Sequence, residues 1–181
     1  MAPPALLFPH FEPLGKQHNR AAFSCAKHPS LDTFLHTQAL QEMKRLYSAT
    51  RVLVASDGRT IIGYYSLSST SVLLDRMPPK IVAKLPRYPG VPATLLARLA
   101  VDHRYQRQGK GPLLLVDALL EAYSAAVRSV ASAAVIVDAI DDAAGGFYQR
   151  YGFVPFHDRP DQLFMPMREV RAFLRQAKLV P

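Results

Sequence analysis

The sequence predicts an α/β protein, a mixed and mostly antiparallel sheet with flanking helices. Three observations predict it. First, two β-branched and aromatic runs, Arg51–Ser56 and Thr60–Leu74, are joined by Asp57-Gly58, a strong hairpin signal. Second, two short apolar runs, Thr94–Asp102 and Ala133–Asp138, bracket a long run at helical spacing, Leu113–Val127. Third, strand-like residues return after a second helix, at Gly152–Phe156 and Leu163–Met167. The order is strand, helix, two antiparallel strands, then strand, helix, strand, helix, strand, strand. That order describes a mixed sheet and not a doubly wound parallel one.

Each element has a local cause. Ala5–Phe11 reads as a short strand or an extended lead-in. Ser30-Leu31-Asp32 begins a helix to about Tyr47, with Leu31, Phe34, Leu35, Ala39, Met43 and Leu46 forming an apolar stripe. Met77–Pro92, rich in proline, reads as a loop or a short helix. Asp141–Tyr151 is a short helix with aspartates at its positive N-terminal end. Asp158–Asp161 is a turn. Arg168–Lys178 is a last helix whose cations Arg168, Arg171, Arg175 and Lys178 share one face.

A length of 181 residues favours one domain, 1–181, large enough for a full core. There is no repeat, low-complexity tract or linker. No apolar run approaches the roughly 18 residues of a membrane span. The N-terminus has no basic leader, so a cytoplasmic, non-secreted protein is expected. The single cysteine, Cys25, excludes an intramolecular disulfide and reads as a small buried hydrophobe. Histidines lie at no ligand spacing, so no metal is expected. The net charge is +8. Ile61–Ala100 carries Arg76, Lys80, Lys84, Arg87 and Arg98 against one anion, Asp75. That excess points to an anionic partner, a phosphate-bearing cofactor or a nucleic acid.

The most informative stretch is Gln106-Arg107-Gln108-Gly109-Lys110-Gly111. It lies between an apolar strand and a helix. Glycines let a backbone approach an anion, and the first N–H groups of a helix have no partners within it. Pro112 stands at the helix start, where its missing N–H costs nothing. Arg104, Arg107 and Lys110 add positive charge. These features predict a pyrophosphate site.

The pattern Gln106-x-x-Gly109-x-Gly111 follows Leu99-Ala100-Val101 and precedes Phe147-Tyr148-x-x-Tyr151-Gly152-Phe153. Together they resemble the GNAT acetyltransferase superfamily. A closer likeness runs through Phe23-Ser24-Cys25, Leu31-Asp32, Gly63-Tyr64-Tyr65, Leu96–Asp102, Asp141–Ala144 and Leu163–Pro166. It covers about residues 5–170 and is similar to the TacT-like GNAT toxins of bacterial toxin–antitoxin pairs. The resemblance implies the GNAT fold and acetyl-CoA as cosubstrate. It also implies acetylation of the amino group of aminoacyl-tRNA, arrest of translation, a ribbon-helix-helix antitoxin and a homodimer. Two departures stand out: Ile140 where lysine is frequent, and Gly145-Gly146 where better helix formers are frequent. The glycines fit either close passage of the cofactor arm or a frayed helix.

Acyl transfer from a thioester to an amine sets four tasks. Gln106, Arg107, Gln108, Gly109, Lys110 and Gly111, with Arg104, are expected to hold the diphosphate. Leu99, Ala100 and Val101 are expected to present a strand edge to the amide-rich pantetheine arm, and Phe147 to line the cofactor. An N–H of Leu99 or Ala100 would polarise the thioester carbonyl. Tyr148 is expected to protonate the departing thiolate, since a phenol stays protonated at neutral pH. The acceptor amine needs no strong base; His103 and Asp138 are available. Arg76, Lys80, Lys84, Arg87 and Arg98 are candidates for tRNA phosphates. Arg98 is equally open to the terminal adenosine or a buried carboxylate. An acetyltransferase of small amines or protein amino groups is the alternative activity, and a non-catalytic binding protein is the third.

Overall fold

The computed structural model describes residues 10–84, 86 and 88–181. It contains a seven-stranded sheet, ordered β1-β2-β3-β4-β5-β7-β6. The strands are β1 His10–Pro13, β2 Ala49–Val54, β3 Ile61–Leu73, β4 Gly90–Val101, β5 Ala134–Asp138, β6 Val154–Pro155 and β7 Gln162–Pro166. The helices are α1 Pro29–Thr33, α2 Ala39–Lys44, α3 Pro79–Val82, α4 Lys110–Arg128, α5 Asp142–Arg150 and α6 Met167–Gln176. Residues 5–9 of the expected first strand lie outside the described residues. Two compact units are distinguished, Met1–Ser66 with Arg98–Leu115, and Leu67–Ala97 with Val116–Pro181. Among the described residues, no helix is long and apolar enough to cross a membrane.

In the first unit β1 runs antiparallel to β2, from the His10–Val54 pair to the Pro13–Arg51 pair. Its core gathers Phe23, Phe34, Leu35, Val52, Ile61, Tyr64 and Ala100. Tyr64 is fully buried, yet its hydroxyl donates to the Leu31 carbonyl at 2.8 Å. Its ring meets Phe23 edge-on at 5.4 Å and stacks on Phe34 at 6.1 Å. The hairpin between β2 and β3 turns at Gly58, with φ of 65°. Asp57 accepts bonds from the backbone N–H groups of Arg59 and Thr60 and from the Thr60 hydroxyl. Those bonds hold its carboxyl down at about 2.

The single helix expected from Ser30 to Tyr47 is interrupted and shorter. Phe34–Gln38 forms a π-helical turn between α1 and α2. The wider turn keeps Phe34, Leu35 and Ala39 all within the core. The helix stops at Lys44 because Leu46 adopts a left-handed φ of 61°. Leu46 N–H then donates to Met43 O, and Tyr47 N–H to Glu42 O, closing the end.

In the second unit β5 is central. It pairs in parallel with β4, from Ala93–Ala134 to Leu96–Val137, and antiparallel with β7. β6 pairs with β7 and is only two residues long. Val72, Met77, Val91, Ala93, Ala134, Ile136, Phe156 and Phe164 pack together, with Phe156 and Phe164 rings 4.8 Å apart. α6 buries Val170 and Leu174 and exposes Arg168, Arg171 and Arg175.

The strand edge expected at Leu99–Val101 belongs to a strand inside the sheet. β4 is an interior strand of the sheet; β1 and β6 are the edges. Sheet order is a long-range property that the sequence of β4 does not encode. The registered pairs with β5 cover Ala93–Leu96, and Leu99–Val101 lie beyond them.

Gly63 of β3 shows how closely this region is packed. A Cβ there would lie 2.7 Å from Leu114 Cδ1 and 2.9 Å from the Ala100 carbonyl oxygen. The Leu114 side chain can rotate; the carbonyl belongs to a strand and cannot. Gly63→Ala is therefore expected to cost about 1–3 kcal/mol through overpacking. Thermal denaturation should show a Tm several degrees lower. An unchanged Tm would mean that the two strands and α4 are less tightly fixed.

Candidate active site

β4 ends at Val101, and the next residue organises the turn beyond it. Asp102 is fully buried. Its N–H donates to Ile62 O at 2.9 Å. Its carboxylate accepts from Ser24 N–H at 3.1 Å and Arg104 N–H at 3.0 Å. It also receives the Arg104 guanidinium in a fork, Nε at 2.7 Å and a terminal nitrogen at 3.0 Å. Burial alone would raise this carboxyl. The Arg104 and Ser24 donors outweigh burial and hold it below the usual carboxylate range. The 3₁₀ turn His103–Tyr105 is thus pinned at its start.

Gln106 pins the next step. Its side-chain amide donates to Cys25 O and Val101 O, both at 3.0 Å. Gln108 donates to Arg104 O at 3.0 Å. Between these anchors the backbone takes left-handed turns at Arg107, φ 59°, and Gly109, φ 72°. A Cβ on Gly109 would meet nothing within 4 Å, so glycine is required there for its φ alone. Alternating backbone hands of this kind turn N–H groups into an anion-binding concavity. α4 starts at Lys110, two residues before the expected Pro112, and Gly111 and Pro112 belong to its first turn. The first N–H groups of a 19-residue helix therefore open beside the loop.

The expected ligands thus fall into two groups. The side chains of Gln106 and Gln108 bond the loop's own surroundings. Arg104 spends its charge on Asp102. Arg107 and Lys110 remain as cations, Arg107 exposed and Lys110 half-buried. His103 is exposed, and its Nδ1–H donates to Ser24 O at 3.0 Å. Asp138 accepts from Gln162 at 2.7 Å. Sequence reasoning missed Asp102 and Ser24 as organising residues. The signal was present: a carboxylate closing an apolar strand needs a partner.

Tyr148 lies in α5. Asp141 caps this helix by accepting from Ala144 N–H at 2.8 Å, and Asp142 sits in its first turn. The helix is continuous through Gly145 and Gly146; Gly146 faces open space. Tyr148 is buried, 6% exposed. Phe147 and Phe153 meet its ring edge-on at 5.2 and 5.5 Å. Phe147 also touches Tyr151 at 5.2 Å. Burial pushes the Tyr148 phenol well above its ordinary value. Among the described residues, none hydrogen-bonds its hydroxyl.

The candidate phosphate-contacting cations differ in availability. Arg76 pairs with Asp158 at 2.8 Å, donates to Gln162 at 2.9 Å and lies over the Phe156 ring at 4.9 Å. Arg76 is half-buried and its guanidinium is already paired. The Arg98 Cζ lies over Phe34, 3.7 Å from the ring centre. Lys80 and Lys84 are exposed. Arg87 lies outside the described residues. Among the described residues, no group of three His, Cys, Asp or Glu could hold a metal ion.

Asp102→Asn is expected to lower stability by about 2 kcal/mol, since bonds to a charged acceptor are each worth about 1.5–3 kcal/mol. Half of Arg104 stays solvated, which limits the loss. The wild-type advantage is present above the unfolded carboxyl value, about 3.9, and fades as pH falls through the lower folded one. Melting curves at pH 7 should separate the two proteins by several degrees and converge in strong acid. Equal Tm values at pH 7 would contradict the clamp.

Comparison with known proteins agrees with this geometry. Residues 17–165 match the model of the acetyltransferase (GNAT) domain. The probable toxin TacT of Sinorhizobium fredii is 28% identical over 171 residues, covering 90% of this chain and 93% of that protein. The tRNA-acetylating toxin of Mycobacterium tuberculosis is 34% identical over 146 residues, covering 81% and 85%. The solved structure of AtaT complexed with acetyl-methionyl-tRNAfMet superposes with a TM-score of 0.83 at 26% identity, covering 91% of this chain and 98% of that one. AtaTR bound with acetyl-CoA gives 0.79 at 26% identity, covering 91% and 97%. A domain match over most of its length makes this chain a member of the GNAT acetyltransferase family.

Proposed function

We propose that the chain is an acetyl-CoA-dependent N-acetyltransferase toxin that acetylates the amino group of aminoacyl-tRNA and so blocks translation. The observation that carries this reading is the 34% identity, over four-fifths of the chain, to a tRNA-acetylating toxin. The basic composition supports it, because the acceptor is a polyanion. Residues 1–181 act as one catalytic domain, cytoplasmic, a homodimer, and held in check by a ribbon-helix-helix antitoxin.

Acetyl-CoA supplies an activated acetyl group. The chain's residues bind and steer it. Backbone N–H groups from Gln106 to Gly111 receive the diphosphate, with Arg107 and Lys110 adding charge. Arg104 and the Gln106 and Gln108 side chains position that loop. Leu99, Ala100 and Val101, beyond the β5 pairs, present backbone groups to the pantetheine amides. An N–H of Leu99 or Ala100 stabilises negative charge on the carbonyl oxygen; such a donor is worth about 3–4 kcal/mol. Phe147 lines the cofactor path. Arg76, Lys80, Lys84, Arg87 and Arg98 contact tRNA phosphates, Arg76 while also tied to Asp158.

The neutral acceptor amine attacks the thioester carbon. A C–N bond forms and the C–S bond breaks. Tyr148 gives its phenolic proton to the sulfur, and the proton that the attacking nitrogen sheds on becoming an amide returns to the phenolate through solvent. Because burial raises the phenol, Tyr148 holds its proton across the physiological range. The acid limb of the rate profile then belongs to the acceptor amine, whose ordinary value is about 7.7–8 and lower for an aminoacyl ester.

The test uses labelled acetyl-CoA and a pool of charged tRNA. Wild-type protein should transfer label to the aminoacyl end, and its expression should arrest bacterial growth. Tyr148→Phe should lower kcat about 10²–10⁴-fold with acetyl-CoA affinity unchanged. The wild-type rate should rise with pH to a plateau and hold through pH 9, with no fall from tyrosine ionisation. Label appearing only on free amines or proteins, or a Tyr148→Phe variant as active as wild type, would contradict the reading.

A further inference from the structure

We infer that the turn closing α2, Lys44-Arg45-Leu46-Tyr47, is a docking point for the tRNA substrate outside the Gln106–Gly111 loop. The inference rests on the proposed activity and adds a contact to it.

The turn is built at a cost that folding does not explain. Leu46 occupies the left-handed position after a helix end, where glycine is the usual residue. A leucine there carries a steric penalty unless its side chain gains contacts. It gains none within the chain: Leu46 is 92% exposed, and the adjacent Tyr47 is 73% exposed. Lys44 and Arg45 beside them are also exposed. Among the described residues, neither cation is in an ion pair. The neighbouring acid, Glu42, is engaged by the Ser48 hydroxyl at 2.9 Å. Strain retained at a surface turn with two unpaired cations, a free aromatic and a free aliphatic marks a binding element.

Two cations beside an exposed aromatic ring suit phosphates and unpaired bases: the cations meet the backbone and the ring stacks. Two apolar side chains are too small a patch to hold a protein partner by burial, which needs on the order of 1,000 Å². A second copy of a chain with net charge +8 would bring like charges together at this turn. Placement agrees. The helical segment Pro29–Lys44 spans about 24 Å at roughly 1.5 Å per residue. It begins just after Cys25, whose carbonyl receives Gln106 of the phosphate loop. The turn stands at the opposite end of that segment. An extended polyanion can engage such a position while its aminoacyl end is at the chemistry.

The experiment measures fluorescence polarisation of end-labelled, uncharged tRNA with full-length protein, over a range of salt. Tyr47→Ala should weaken binding about tenfold. Leu46→Gly should weaken binding while raising Tm, a pairing that a purely structural role would not give. The double variant Lys44→Ala, Arg45→Ala should reduce the salt slope by about 2. Acetyl-CoA affinity should be unchanged in all three. Wild-type binding and slope in all three variants would overturn the inference. So would a Leu46→Gly variant of lower Tm, or changes confined to self-association. Acetylation of charged tRNA, measured in parallel, reads the activity separately. Intact acetylation with unaltered binding removes only the docking turn. Altered binding without acetylation removes only the activity.

Discussion

The Gln106–Gly111 loop exists in a defined shape because Asp102 is buried and charged. A carboxylate out of water at the end of an apolar strand must find donors, and this one finds Ser24, the Arg104 backbone and the Arg104 guanidinium. Those bonds fix the first residues after β4. Gln106, bonded to Cys25 and Val101, fixes the next. Only then can Arg107 and Gly109 hold left-handed conformations without the loop relaxing. The loop is preorganised, so binding an anion there need not order the chain again.

The same principle separates positioning groups from contacting groups. The Gln106 and Gln108 side chains of the motif are consumed in holding it, so the proposed diphosphate contact falls to backbone N–H groups and the first turn of α4. Tyr148 is prepared differently. Its ring is enclosed by Phe147 and Phe153, and its hydroxyl is kept protonated by burial. In the proposed reaction a phenol that keeps its proton in this way is the donor to the departing thiolate. The two preparations, one by hydrogen bonds and one by desolvation, are carried by residues in different units of the chain.

What could be read from the sequence was local. The hairpin at Asp57-Gly58, the capped start of α5 and the glycine loop all depend on residues within a few positions of one another. The interrupted helix was partly hidden, because a π-helical turn preserves an apolar stripe and Leu46 gives no sign of its left-handed φ. Long-range partners were not legible. Ser24 lies 78 positions from Asp102, and Asp158 lies 82 from Arg76. Arg76 therefore read as a surface cation and proved to be tied into the second unit. The interior position of β4 was hidden for the same reason, since a strand's neighbours are chosen by the whole sheet. Gly145-Gly146 invited a frayed helix, and the Asp141 cap together with packing around Tyr148 keeps it whole.

If backbone N–H groups of the Gln106–Gly111 loop receive the diphosphate of coenzyme A, distorting that loop must weaken the nucleotide's hold. Calorimetric titration of coenzyme A into the wild-type protein and a Gly109→Val variant measures this most directly. A β-branched residue is strongly disfavoured at φ of 72°, and the site of the new side chain is otherwise open. Affinity at least tenfold weaker, with the fold retained, is the expected result. Equal affinity in the two proteins would show that the diphosphate is held elsewhere.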